Sequence, residues 1–86
     1  MRYKVIWTTT AEAALASLWL DAANRSRIRV AADAIDRALK IDAPTCGESR
    51  ENDRRILIVP PLAVKFRVIE PDAQVRVLEV WTFEVP

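Results

Sequence analysis

The sequence predicts an α+β domain with the element order β-α-α-β-β-β, in which a helical hairpin packs on one face of a small, mainly antiparallel sheet. Three observations predict this class. A short alternating pattern near the N-terminus is followed by two segments with helical periodicity, and the last third of the chain holds three apolar runs separated by proline-containing turns. The chain has 86 residues, which suits one domain over residues 1–86 and leaves too little for a second.

The first strand and the first helix are predicted from a change of period. Residues 2–8 alternate and are rich in aromatic and β-branched side chains, so we expect a strand there. Residues 10–22 follow a helical period, and Thr9 with Glu12 three residues later has the spacing of a capping box. The apolar stripe of this helix comprises Ala11, Ala14, Leu15, Leu18, Trp19 and Ala22.

A second helix follows so closely that the two must form a hairpin. Asn24 is a favourable N-cap for it. Its apolar stripe comprises Ile28, Ala31, Ala32, Ile35, Ala38 and Leu39. Residues 42–53 then collect proline, the single glycine and many polar residues, which predicts a loop without regular structure.

The C-terminal third predicts three consecutive strands joined by short connections. The expected ranges are 54–59, 62–70 and 74–83. Pro60 and Pro61 cannot donate to a ladder and therefore end the first of these strands, and residues 70–73 form a tight turn before the last one. Short connections between neighbouring strands indicate an antiparallel meander.

The composition excludes several classes of site. With no histidine and a single cysteine, Cys46, the chain lacks an internal disulfide, the usual zinc and haem ligand sets, and Ser-His or Cys-His nucleophile pairs. One glycine excludes a glycine-rich phosphate loop. We therefore expect neither metal nor cofactor. Glu12, Asp33 and Asp36 are interpreted as caps or helix-surface charges.

Localisation and overall charge set further limits. No signal-peptide pattern and no apolar run of about 18 residues occurs, so we expect a cytoplasmic protein with no membrane contact. Thirteen basic against twelve acidic residues give a net charge of +1. Any contact with a polyanion must therefore come from a local cluster of cations.

Such a cluster is predicted on the sheet face away from the helices. Alternation in the strand 62–70 points Leu62, Val64, Phe66 and Val68 towards the helices, and Ala63, Lys65, Arg67 and Ile69 away from them. Lys65 and Arg67 then form either a binding surface or an ordinary solvated sheet face. In the last strand both alternating sets are largely apolar, so the pattern does not decide between Arg76 and Glu79 for the open face. If Glu79 lies there, we expect it to pair with Lys65 or Arg67.

The loop before the meander carries more cations. Arg50, Arg54 and Arg55 are interleaved with acidic residues at the mouth of the same sheet. They form either a phosphate-binding rim or a solvated loop of mixed charge.

The segments YKVIWTTTAEAALASLW, DRALKIDAPTCGESR, PPLAVKFRVIE and VRVLEVW, in this order of elements, resemble the RelE/ParE superfamily of bacterial toxins. The resemblance spans nearly the whole chain and implies the toxin of a type II toxin-antitoxin system, held inactive by a cognate antitoxin. RelE-like members cut messenger RNA on the ribosome with basic side chains of the open sheet face. ParE-like members inhibit DNA gyrase.

The resemblance also implies site residues. The arginine that nuclease members carry on the third strand is replaced by Ala63, which favours a toxin that binds its target, as gyrase inhibitors do. The alternatives are a ribosome-dependent endoribonuclease and a degenerate, non-toxic family member that keeps the fold as a homodimer or an interaction module. Candidate catalytic residues for the nuclease are Lys65, Arg67, Arg54 and Arg55. Candidate target-binding residues are Arg50, Arg54, Arg55, Lys65, Arg67 and Arg76. Candidate antitoxin-binding residues are Trp81, Phe83 and Val85.

Overall fold

The computed structural model describes residues 2–83, which form two α-helices packed on a five-stranded mixed sheet and so confirm the predicted α+β class. The elements are β1 (Lys4–Trp7), α1 (Thr9–Asp21), α2 (Arg25–Asp42), β2 (Glu48–Ser49), β3 (Arg54–Val59), β4 (Leu62–Ile69) and β5 (Gln74–Thr82). A single 3₁₀ turn, Ala43–Thr45, follows α2 within this range.

The sheet has the order β1-β5-β4-β3-β2. β3, β4 and β5 form the predicted antiparallel meander, and β1 runs parallel to β5 because the helical hairpin carries the chain back across the sheet. The expectation of a wholly irregular loop over residues 42–53 was wrong, since Glu48 and Ser49 pair with Ile56 and Arg55 as β2. A two-residue strand is too short to show a period in the sequence.

The helix starts differ in how closely the sequence predicted them. Asn24 caps α2 as expected, its side-chain oxygen accepting a hydrogen bond from the Arg27 amide at 3.2 Å. The predicted capping box of Thr9 and Glu12 was wrong by one residue: the N-cap is Thr8, whose Oγ1 accepts from the Ala11 amide at 3.1 Å. Thr8 keeps an extended backbone, as N-cap residues typically do, while Thr9 is already helical.

The core lies between the two helices and one face of the sheet. Its fully buried large side chains are Phe66, Ile35, Leu39, Leu62, Val64, Val75 and Val77. The strand alternation predicted for β4 is confirmed, because Leu62, Val64 and Phe66 join this cluster. Trp19 departs from the predicted apolar stripe of α1. It is 40% exposed, and the Arg25 guanidinium lies 4.6 Å from its ring centroid.

A β-bulge in β5 decides the facing that the sequence left open. Lys65 pairs with Glu79 but the next residue, Phe66, pairs with Val77, so Leu78 is the extra residue. The bulge shifts the alternation by one position, and both Arg76 and Glu79 therefore lie on the open face.

Candidate functional site

The open face of the sheet is crossed by a row of arginines from three neighbouring strands. Arg67 on β4 lies directly opposite Arg54 on β3 and Arg76 on β5, and we call these three residues the arginine row. Like charges placed opposite one another repel. The Arg54 guanidinium donates to the Asn52 carbonyl at 2.7 Å, whereas Arg67 and Arg76 are exposed and make no ion pair or hydrogen bond through their side chains within residues 2–83.

A second row, the middle row, runs parallel to the first and consists of Ile56, Lys65 and Glu79. Lys65 Nζ lies 3.3 Å from Glu79 Oε2, which confirms the expected cross-strand pair. A trough of about 800 Å³ follows this row from Ile56 past Leu78 to Thr8, at the start of α1. Its floor is therefore an ion pair whose two charges neutralise each other.

The third row is apolar and consists of Ile58, Ala63 and Trp81. Ile58 is 43% exposed and Trp81 is half-buried, while Ala63 is completely buried although it lies outside the core cluster beneath the helices. Across the three rows the open face thus changes from cationic, through a neutral ion pair, to apolar.

The loop arginines Arg50 and Arg55 lie in different parts of the molecule. Arg50 lines the trough and pairs with Glu48, with Nη2 to Oε2 at 3.0 Å. Arg55 lies opposite Phe66 on the helix side of the sheet, where it donates to the carbonyls of Cys46 and Gly47 at 2.8 and 3.1 Å. The structure therefore brings Lys65, Arg67, Arg54, Arg50 and Arg76 to one face, and it does not bring Arg55 there.

The exposed side chains of this face are able to bind charged groups. Transfer of a proton to or from a substrate needs a base and an acid held at the reacting atoms, and an arginine guanidinium does not release its proton. Within residues 2–83 the ammonium of Lys65 and the carboxylate of Glu79 are bonded to each other. Tyr3 projects to the core side and donates to Glu70 at 2.6 Å. The exposed guanidinium groups are suited to holding carboxylates or phosphates.

The single thiol lies away from this face. Cys46 is half-buried, and its Sγ lies 3.5 Å from the Ala38 carbonyl oxygen. Burial, with a smaller contribution from Asp42, raises the pKa of the Cys46 thiol against the opposing effect of Arg55. A raised pKa leaves little thiolate at neutral pH, so this thiol is a poor nucleophile. The described residues contain no group of three side chains able to hold a metal ion.

The helices form a second concave surface, the helix groove, on the helix side of the sheet. It has a volume of about 570 Å³ and an apolar floor that includes Trp7, Leu15 and Ile28. Three acidic residues, Glu12, Asp33 and Asp36, and one cation, Arg29, also line it. The Trp7 indole donates to Asp36 Oδ1 at 3.4 Å, and Asp36 Oδ2 binds Lys40 Nζ at 2.8 Å. The carboxylates interpreted as helix-surface charges therefore border a groove.

The residues predicted to bind an antitoxin lie elsewhere. Trp81 belongs to the apolar row, and Phe83 is 37% exposed with its amide donating to the Pro61 carbonyl at 2.7 Å. Val85 lies outside the described residues. The sequence did not predict the trough residues Thr8 and Leu78, because a cap and a bulge place them there and neither has a periodic signal.

Comparisons with known proteins find this fold among solved structures. No family model and no curated protein matches the sequence. Among solved structures, the chain is similar to one in "the toxin-antitoxin complex RelBE2" from Mycobacterium tuberculosis, with a TM-score of 0.80, 17% identity, and 96% of this chain and 93% of that chain covered. It is also similar to one in the "chromosomal ParDE TA system" from P. aeruginosa, with a TM-score of 0.75, 18% identity, and coverage of 96% and 98%.

A third similar structure is the intact E. coli RelBE toxin-antitoxin complex, with a TM-score of 0.57, 16% identity, and coverage of 96% of this chain and 99% of the other. Within residues 2–83, neither helix combines the length and apolar character needed to cross a membrane. The resemblance inferred from the sequence is confirmed at the level of architecture: this chain has the RelE/ParE-like toxin fold.

Proposed function

We propose that this protein is the toxin of a toxin-antitoxin pair, and that it inhibits growth by binding a macromolecular target such as DNA gyrase. The observation that carries the proposal is the match of nearly the whole chain to chains of toxin-antitoxin structures of both the RelBE and the ParDE kind. Binding is favoured over catalysis by the open face. It offers exposed guanidinium groups, it carries Ala63 where nuclease relatives have an arginine, and the Lys65 ammonium is paired with the Glu79 carboxylate.

The antitoxin is proposed to lay an amphipathic helix in the helix groove. The apolar floor at Trp7, Leu15 and Ile28 would bury the apolar stripe of such a helix, and the acidic rim at Asp33 and Glu12 calls for Lys or Arg beside that stripe. A second antitoxin segment would cover Trp81 and Phe83, where large apolar surface is exposed or half-buried.

Co-purification with the product of a neighbouring short reading frame tests the antitoxin part. Ala16 and Ala13 are both exposed on α1, but only Ala16 lines the groove. We expect Ala16→Gln to reduce capture of the partner and Ala13→Gln to leave it unchanged. Equal capture by both variants would place the antitoxin elsewhere on the molecule.

The mode of action is tested by controlled induction in bacteria with separate readouts of plasmid supercoiling and of messenger RNA cleavage on ribosomes. A gyrase-binding toxin changes supercoiling and leaves ribosome-bound message intact. The opposite pattern would replace this mode of action with the ribonuclease alternative.

The ribonuclease alternative is retained because Lys65, Arg67 and Arg54 gather on the face that nuclease relatives use. Toeprinting of translating ribosomes with wild type and with the Lys65→Ala/Arg67→Ala double variant decides it. Cleavage by the wild type that the double variant loses would support the alternative, and unchanged cleavage would remove these residues from it. A folded homodimer without a partner and without a growth defect would indicate the degenerate module instead.

A further inference from the structure

The open face carries an uncompensated charge along one side. The arginine row holds three guanidinium groups, and the carboxylates of Glu79 and Glu48 are already bonded to other cations, Lys65 and Arg50. Arg67 and Arg76 have no anionic partner within residues 2–83. A ligand with matching negative charges would relieve the repulsion inside the row.

The apolar row, on the other side of the same face, is suited to contact with apolar side chains of a ligand. Ile58 is exposed and Trp81 half-buried in the apolar row, which lies four residues along β4 from the arginine row. Four residues of a strand span about 13 Å, and an α-helix with its side chains is about 10 to 12 Å wide. A single helix lying in the trough along the middle row therefore fits between the two outer rows.

The spacing along the arginine row also matches a helix. Neighbouring strands lie about 4.8 Å apart, and side chains three or four residues apart on a helix have Cβ atoms about 5 to 6 Å apart. Three carboxylates on successive turns would meet Arg54, Arg67 and Arg76 in order, with the helix axis running across the strands. Each carboxylate then accepts a charge-assisted bond from one guanidinium.

We infer that the open face binds an acidic amphipathic helix of the protein on which this toxin acts, with carboxylates on the arginine row and apolar side chains on the apolar row. This inference rests on the proposed function and names the chemistry of the target segment. A polynucleotide fits the surface less well. In the trough its phosphates would meet Glu51 and the neutral Lys65–Glu79 pair, and the apolar row offers them no cation.

Fluorescence anisotropy with the full-length protein tests the inference. The probe is a synthetic helix of about 15 residues, four turns long, with Glu on successive turns along one flank and Leu along the other. Two controls accompany it: the same peptide with Gln in place of Glu, and a single-stranded RNA of mixed sequence. We expect binding of the Glu peptide alone, weakening as salt is raised.

Matched variants test whether the arginine row is responsible for this binding. Arg67→Gln/Arg76→Gln removes two charges from the row, whereas Arg29→Gln/Arg37→Gln removes two exposed charges from α2, one of them, Arg29, at the helix groove rather than on the open face. We expect the first pair to weaken binding about tenfold and the second less than about twofold. Trp81→Ala should weaken binding without changing its salt dependence.

Three results would overturn the inference: no binding of the Glu peptide, equal binding of the Gln peptide, or displacement of the Glu peptide by the RNA. None of them bears on whether the protein arrests growth or binds an antitoxin. Failure here is thus distinguishable from failure of the proposed function.

Discussion

At the residue scale, the loop before β3 depends on Gly47. Its φ is +66°, and a Cβ built on it would lie 2.0 Å from the Ile56 carbonyl oxygen. The Gly47 carbonyl in turn accepts from Arg55, which holds the loop against the sheet. The sequence predicted a turn at this glycine, and the structure confirms it. Only the structure shows that Arg55 donates to the loop carbonyls while its neighbour Arg54 lies on the open face.

Gly47→Ala should lower the free energy of unfolding by about 2 kcal/mol or more, because the left-handed backbone is strained for alanine and the added Cβ displaces β3. Denaturant unfolding measures this loss. Ser49→Ala, at an exposed position of β2, is the control and should stay within about 0.5 kcal/mol of wild type. Equal stability of both variants would show that the loop does not hold this geometry.

Tyr3 gives a residue-scale prediction about pH. Its hydroxyl donates to Glu70 at 2.6 Å, and this hydrogen bond is the main reason that the pKa of Tyr3 lies above its ordinary value of 10.0. Because the folded state favours the neutral phenol, the contribution to stability is complete below the unfolded-state pKa and is lost as the pH rises through the higher folded pKa.

Tyr3 is the only tyrosine of the chain, so phenolate absorbance reports it alone. We expect Glu70→Gln to move its midpoint back towards the ordinary value, since the carboxylate acceptor and its charge are both removed. Asp72→Gln, in the same turn, is the matched control. If Glu70→Gln left the titration midpoint of Tyr3 unchanged, the hydrogen bond to Glu70 would not be the cause of the raised pKa.

At the scale of elements, β5 contains a bulge that its sequence pattern does not predict. Alternation assigned β4 correctly, since Leu62, Val64 and Phe66 are all buried in the core. In β5 the bulge at Leu78 changes the phase, so Val75, Val77 and Val80 are all buried although they do not share one alternating set. Alternation assumes that side chains change face at every residue, so it cannot predict a bulge of one residue.

Deletion of Leu78 should therefore be tolerated, because it restores strict alternation and leaves every other side chain of β5 on its present face. We expect a loss of about 1 kcal/mol, which corresponds to a half-buried leucine side chain. Deletion of Val80 is the control. It forces either Glu79 or Trp81 into the core site of Val80 and should cost at least about 3 kcal/mol.

Denaturant unfolding of the two deletion variants distinguishes these outcomes. If deletion of Leu78 were as damaging as deletion of Val80, the bulge would be a structural requirement rather than an inserted residue, and the phase shift described for β5 would be wrong.

At the scale of the whole molecule, the helix groove and the open face lie on the two faces of the sheet and differ in charge. Three acidic residues, Glu12, Asp33 and Asp36, and one cation, Arg29, line the helix groove, whereas the open face has the arginine row. With a net charge of +1, the chain has no overall field that would draw it to a polyanion. The proposed antitoxin helix and the proposed target helix would therefore need different charges.

Growth after controlled induction in bacteria tests the toxin proposal most directly, with a frame-shifted gene as the control and soluble protein confirmed in the wild-type culture. We expect the wild type to arrest growth and co-expression of the cognate antitoxin to restore it. A culture that accumulates folded wild-type protein and grows like the frame-shifted control would contradict the proposal that this chain is a toxin.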